Sequence, residues 1–187
     1  MRKTQKRIVI IVSLFYLGFG FSACTAKSKT SEDLYARGIS QIQKGNLEAA
    51  TDSLSQSIEL DSQYAPAYVN RGIAYDELGE LEKAVADYTM AIQLSPELPE
   101  TYYNRGNTYS RLNQFTLAIA DYSKAISINE NYAYAYANRS VAHEKSGRVS
   151  EAIADLNAAL KIFERNNDAA NQQKVNLEIE RLKSLVP

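Results

Sequence analysis

Small and apolar residues recur at helical spacing through residues 31–166, in paired stretches separated by polar breaks. Between Ala65 and Leu98, Tyr68, Tyr75 and Leu78 share one face at i, i+7 and i+10. Ala84, Tyr88, Ala91 and Ile92 share another at i, i+4, i+7 and i+8. Gly79 lies between the two stretches, with Gly45, Asn113 and Gly147 at the matching places of the other pairs. The pattern predicts helical hairpins. Gly72 and Ala84 are small where the two helices of one hairpin must approach closely, and Tyr and Ile fill the layer around them.

The hairpins are copies of one another. APAYVNRGIAYDELGELEKAVADYTMAIQLSPEL is followed without a gap by PETYYNRGNTYSRLNQFTLAIADYSKAISINENY. The two 34-residue units agree at Tyr-x-Asn-Arg-Gly, at the next Tyr, and through Ala-x-x-Asp-Tyr-x-x-Ala-Ile. The same register extends upstream to 31–64 and downstream to 133–166, giving repeats at 31–64, 65–98, 99–132 and 133–166. One hairpin cannot bury both of its apolar faces, so neighbours must stack, and the expected architecture is an all-α solenoid.

These residues resemble the tetratricopeptide repeat (TPR) signature of a large residue, Leu-Gly, Tyr, Ala, an aromatic and Pro at fixed offsets. Tyr68, Arg71-Gly72, Tyr75, Ala84, Tyr88 and Pro96 occupy those places in the second repeat. Tyr102, Arg105-Gly106, Tyr109, Ala118 and Tyr122 do so in the third, with Glu130 in place of the proline. The fourth keeps Tyr136, Arg139, Ala152 and Ala159 but has Ser140 and His143 for Gly and Tyr. The first keeps Leu34, Arg37-Gly38, Ala50 and Leu54. The resemblance implies a TPR α-solenoid of four helix-turn-helix repeats that binds proteins.

The resemblance also implies where a partner would lie. In TPR proteins the first helices of successive hairpins line a concave groove, and an Asn at the sixth place of the repeat pairs with a bound peptide backbone. Asn70, Asn104 and Asn138 stand there, with Ala36 breaking the series. An amide donates and accepts, so it can satisfy a peptide unit of any sequence; bonding within the scaffold is the alternative. Flanking groove places carry Tyr35, Ile39, Val69, Ile73, Tyr103, Asn107, Arg111, Tyr134 and Val141, with Asp76, Glu77 and Glu144 beyond. The subclass that clamps a terminal carboxylate needs Lys and Arg where this chain has Val69 and Tyr103. An extended, partly apolar peptide or a partner helix fits better.

Arg37, Arg71, Arg105 and Arg139 replace the usual Leu, and Asp87, Asp121 and Asp155 follow the last three by sixteen residues. A buried Arg demands a carboxylate, so an internal Arg–Asp ladder is expected, in preference to an anion-binding stripe. Ser53 replaces the Asp in the first repeat and leaves Arg37 as the exception. Most of the 13 tyrosines sit at repeat core places. Tyr35, Tyr103 and Tyr134 are better placed for contact. His143 is the only histidine, and with no other His or Cys in the repeats it is not read as a metal ligand.

The N-terminus has a different composition. MRKTQKR carries four basic residues and no acid, and the apolar run Ile8–Phe21 falls short of the roughly 20 residues of a membrane span. Residues 1–23 read as a secretory signal. Ser22-Ala23-Cys24 resembles the end of a bacterial lipobox, although Phe21 stands where an aliphatic residue is usual. Cys24, the only cysteine, would then be lipidated, and residues 24–30 would form a tether. Cleavage without lipid near Ala23 or Ala26, and an uncleaved anchor, are the alternatives. Removing Arg2, Lys3, Lys6 and Arg7 with that segment takes the net charge from −1 to −5, which leaves no footprint for nucleic acid.

Residues 167–187 differ again. Ala169–Leu185 reads as one helix, with Val175, Ile179, Leu182 and Val186 on one face and charged residues elsewhere, a composition suited to a capping helix. No phosphate loop, HExxH or nucleophile–base set is present, and neither an enzyme nor a cofactor is expected. The expectation is a non-enzymatic adaptor, lipid-anchored at the cell envelope and facing the periplasm or exterior. A self-associating structural lipoprotein and a membrane-anchored cytosolic TPR protein are the alternatives.

Overall fold

A computed structural model describes residues 29–185. The expected signal segment and Cys24 lie outside the described residues, as does Val186. Within them the chain folds into α1 (Ser31–Gln43), α2 (Leu47–Leu60), α3 (Ala65–Glu77), α4 (Leu81–Leu94), α5 (Pro99–Arg111), α6 (Phe115–Ile128), α7 (Ala133–Lys145), α8 (Val149–Arg165) and α9 (Ala169–Lys183). Each helix packs on its neighbours in sequence, as a solenoid of four hairpins and a terminal helix requires. The last helix ends at Lys183, two residues short of the expected Leu185.

Local chemistry sets the boundaries. Thr30 caps α1 through a reciprocal capping box with Asp33. Gly45, Gly79 and Gly147 turn the hairpins with φ between 76° and 80°, and Asn113 does the same at 59°. Asn is the side chain that best tolerates this left-handed geometry, which explains its place in a series of glycines. Asn167 (φ 55°) starts the break before α9, and Asp168 caps that helix by accepting from the Asn171 N–H.

Helix approach within a hairpin depends on the absence of a side chain. A Cβ on Gly72 would lie 2.8 Å from the Tyr88 ring, and one on Gly106 would lie 2.8 Å from Tyr122. Ala50, Ala84, Ala118 and Ala152 are fully buried on the second helices. Tyr88 and Tyr122 are almost fully buried, with Leu54 and Leu156 at the same repeat place. Tyr75, Leu78, Tyr109 and Tyr136, expected in the core, are half-buried instead. Three of them are tyrosines that lie against the guanidinium groups of Arg71, Arg105 and Arg139.

The ladder forms within hairpins and is tied to the preceding one. Arg71 Nε and Nη2 each donate to Asp87 at 2.7 Å, and Nη1 donates to Ser55 on α2 at 2.9 Å. Arg105 repeats this with Asp121 and Thr89, and Arg139 with Asp155 and Ser123. Each guanidinium therefore fastens its own hairpin and the second helix before it, and the hydrogen bond to Asp holds it charged. Arg37, with no preceding helix among the described residues and Ser53 at the Asp place, is exposed.

Candidate functional site

The first helices touch across hairpins, α1 to α3, α3 to α5 and α5 to α7, more closely than the second helices do. They therefore form the inner layer of the arc, and their free face is the groove wall. Tyr35, Ile39, Val69, Asn70, Ile73, Tyr103, Asn104, Asn107, Arg111, Asn138 and Tyr134 all lie on these helices. The described C-terminal residues do not fill the groove: α9 packs on α8, in the place a fifth first helix would take.

The three repeat asparagines differ. Asn70 Nδ2 donates to the Tyr35 hydroxyl at 3.2 Å and to the Pro66 carbonyl at 2.9 Å. Asn138 Nδ2 donates to the Tyr103 hydroxyl at 3.1 Å and to Asn107 Oδ1 at 2.8 Å. In both cases a Tyr at the fifth place of one repeat meets the Asn at the sixth place of the next. Val69 stands at the fifth place before Asn104 and has no hydroxyl, and the Asn104 amide has no partner among the described residues. Scaffold bonding thus accounts for two of the three amides and leaves the central one free.

The expected contact tyrosines are also engaged. Tyr35 meets Tyr64 edge-on at 5.2 Å, and Tyr134 meets Phe163 at 5.5 Å while accepting from Asn171 Nδ2. Tyr103 lies 4.9 Å from Tyr132, whose hydroxyl pKa burial and Tyr103 push up to about 12. Tyr134, 49 % exposed, retains the most accessible ring of the three. Arg111 is tied across the groove to the carboxylate and carbonyl of Asp76, which also accepts from Thr108 Oγ1 at 2.6 Å. Glu144 pairs with Arg181 of α9 at 2.7 Å.

Two features escaped the sequence reading. Tyr122 reaches through from α6 and donates to Asn107 Oδ1 at 2.8 Å, so a core residue enters the groove wall. Burial raises its pKa and that of Tyr88, keeping both phenols protonated. Arg181 repeats the role of Arg111 and thereby makes α9 part of the groove. The repeated Arg–acid relation was its only signal, shifted out of register because α8, at 17 residues, is longer than the 14-residue α2, α4 and α6.

Comparison with known proteins agrees with this geometry. Family models described as tetratricopeptide repeat match residues 99–132 and 133–166, and one described as TPR repeat matches residues 75–113. The chain belongs to the tetratricopeptide repeat family. No curated protein sequence matches it. Among solved structures, a crystal structure of MamA is similar with a TM-score of 0.74 and 28 % identity, over 77 % of this chain and 84 % of that one. The first TPR of Spaghetti bound to the HSP90 peptide SRMEEVD is similar with a TM-score of 0.60 and 26 % identity, over 67 % and 95 %. MamA from Desulfovibrio magneticus RS-1 shares the fold at 16 % identity, with a TM-score of 0.67 over 83 % and 96 %. TPR proteins are in general non-catalytic, and none of the three matched models describes a catalytic family. The family and its structural neighbours mark this TPR chain as a protein–protein interaction scaffold.

Proposed function

We propose that this TPR protein is a lipid-anchored adaptor of the bacterial cell envelope that captures an extended segment or helix of a partner protein in its groove. In this reading residues 1–23 are removed, Cys24 carries the acyl chains, and the short tether holds the solenoid close to the membrane. Asn70 and Asn138 keep the groove in shape, while Tyr134, Val141, Ile73 and Asn104 meet the ligand. The observation that carries the reading is the Asn104 amide, unpaired at the centre of a wall whose other repeat amides are paired. A peptide unit offers the donor and acceptor that such an amide lacks.

Crosslinking in intact cells followed by affinity capture tests it. Asn104→Ala should reduce the crosslinked partner at unchanged protein level, and an unchanged yield would refute groove capture. Mass spectrometry of the mature N-terminus tests the anchor separately. An acylated Cys24 is expected, and a mature chain that retains Arg2 would refute export and lipidation together.

A further inference from the structure

Three hollows follow one another along the groove, and their chemistry changes in order. The first, between α3 and α5, is lined by Ile73, Asp76, Glu77, Asn104 and Asn107 over the Tyr88 ring. Asp76 is engaged by Arg111 and Thr108, but Glu77 is exposed, so this hollow presents an unneutralised carboxylate beside the free Asn104 amide. It suits a cationic side chain.

The second, between α5 and α7, is a concavity of about 260 Å³ that includes Asn107, Arg111, Tyr122, Asn138 and Val141 in its lining. Asn107 Oδ1 accepts from both Tyr122 and Asn138, which orients the amide and leaves its Nδ2 without an acceptor among the described residues. Arg111 gives only Nη1 to Asp76, so its Nε and Nη2 are likewise unengaged there. Two donor groups one helical turn apart on α5 thus face a space that also holds the Ser110 hydroxyl and the Asn138 amide. An acceptor satisfies them, and a carboxylate does so most strongly.

The third, between α7 and α9, has about 310 Å³ lined by the aliphatic Ala137, Val141, Leu156 and Val175 and by the polar Asn138, Ser140, Lys174 and Glu178. Aliphatic side chains make up half of its walls, the largest such share of the three hollows. Val141 stands between the second and third hollows and is 43 % exposed, so apolar surface continues from one to the other.

We propose that the groove reads one extended protein segment in which a basic side chain, a carboxylate and an aliphatic side chain follow one another about three residues apart. This rests on the peptide-capture reading above and specifies its ligand. The spacing follows from helix size: neighbouring first helices stand about one helix diameter, ~10 Å, apart, and three extended residues at ~3.3 Å span that distance. An extended ligand is favoured over a helix because Asn104 needs a free peptide unit, and a helix interior has used its own.

The probes are fluorescein-labelled peptides with a Gly/Ser background carrying Lys, Glu and Leu at every third position, titrated by anisotropy with the purified full-length chain. A bound chain can run either way, so Lys–Glu–Leu or its reversal should bind at least about tenfold more tightly than Glu–Lys–Leu and Lys–Leu–Glu. Replacing the central Glu by Gln should weaken binding about tenfold in the unaltered protein and less than about twofold in Arg111→Gln. Glu77→Gln should remove the matching preference for Lys, which keeps the test alive if the Arg111 variant folds poorly. Equal binding of all orders, reduced throughout by Asn104→Ala, overturns the ordered reading and leaves groove capture standing. No binding of any peptide at millimolar concentration also overturns it, while the crosslinking experiment then decides groove capture independently.

Discussion

Arg105 grips Asp121 through two parallel bonds, Nε to Oδ2 at 2.7 Å and Nη2 to Oδ1 at 2.8 Å, and reaches back to Thr89 with the remaining nitrogen. The Asp side chain is 8 % exposed and the Arg side chain 16 %, so removing one partner leaves a charge with little access to water. Asp121→Ala should cost about 3 kcal/mol, the lower end for a broken buried pair because the Arg retains some solvent. The paired change Arg105→Leu with Asp121→Leu should recover most of that loss, since an apolar pair of similar size needs no compensation. Urea unfolding of the three proteins checks both, and an Asp121→Ala midpoint equal to that of the unaltered chain would remove the ladder from the stability argument.

The ladder was legible because Arg and Asp recur at one offset in three repeats, and a buried guanidinium has few physical alternatives. The helices were legible for the same reason: Tyr88 and Tyr122 opposite Gly72 and Gly106 form a size pattern that only a close helix pair satisfies. The groove was legible as a set of places, and its bonding was not. Asn70 and Asn138 each have one partner thirty-five positions earlier, Tyr35 or Tyr103, and a second in the Pro66 carbonyl or Asn107, and Val69 removes the first of these for Asn104. The part taken by α9 was hidden because the lengthened α8 shifts its register, although Lys174 and Arg181 then fall at groove places.

His143 occupies the place that Tyr75 and Tyr109 fill in the two preceding repeats. Its Nε2 lies 3.7 Å from Asp155, and its buried Nδ1 has no partner. Burial lowers its pKa below the usual 6.5, an effect that Arg139 and Arg148 support and Asp155 and Glu151 oppose. The native state therefore takes up a proton at His143 less readily than the unfolded chain, which does so as pH falls through about 6.5. Stability should be constant above that pH and decline below it. His143→Tyr should flatten the decline between pH 7.5 and 5.5 in chemical denaturation. An equally steep decline in the variant would assign the pH dependence to other groups.

Val175, Ile179 and Leu182 of α9 are buried in one cluster with Leu156, Ile162 and Phe163 of α8. A chain ending before Asp168 would expose that face. Each large side chain uncovered forfeits about 1.5–3 kcal/mol of burial. Because repeats are coupled mainly to their neighbours, the damage should stay local: α7 and α8 fray and the chain self-associates, while α1 to α4 remain protected. Hydrogen exchange along the truncated chain distinguishes this from global unfolding, which would show uniform loss of protection.

Val69 withholds from the central groove amide one of the two partners that the flanking amides have. Tyr35 supplies a hydroxyl to Asn70 and Tyr103 supplies one to Asn138, each across neighbouring first helices, whereas the corresponding contact for Asn104 is absent. Val69→Tyr places a hydroxyl at the same repeat position and should bring Asn104 into the bonding seen on either side. The new bond should add about 1 kcal/mol of stability and weaken partner capture about tenfold, because the amide is no longer available to a peptide unit. Val69→Phe adds the ring without the hydroxyl and separates the two effects: it should leave stability close to that of the unaltered chain and retain most of the capture. Thermal unfolding and in-cell crosslinking of both variants decide the point. If Phe suppresses capture as fully as Tyr, the ring obstructs the groove and the freedom of the Asn104 amide is not what admits the ligand.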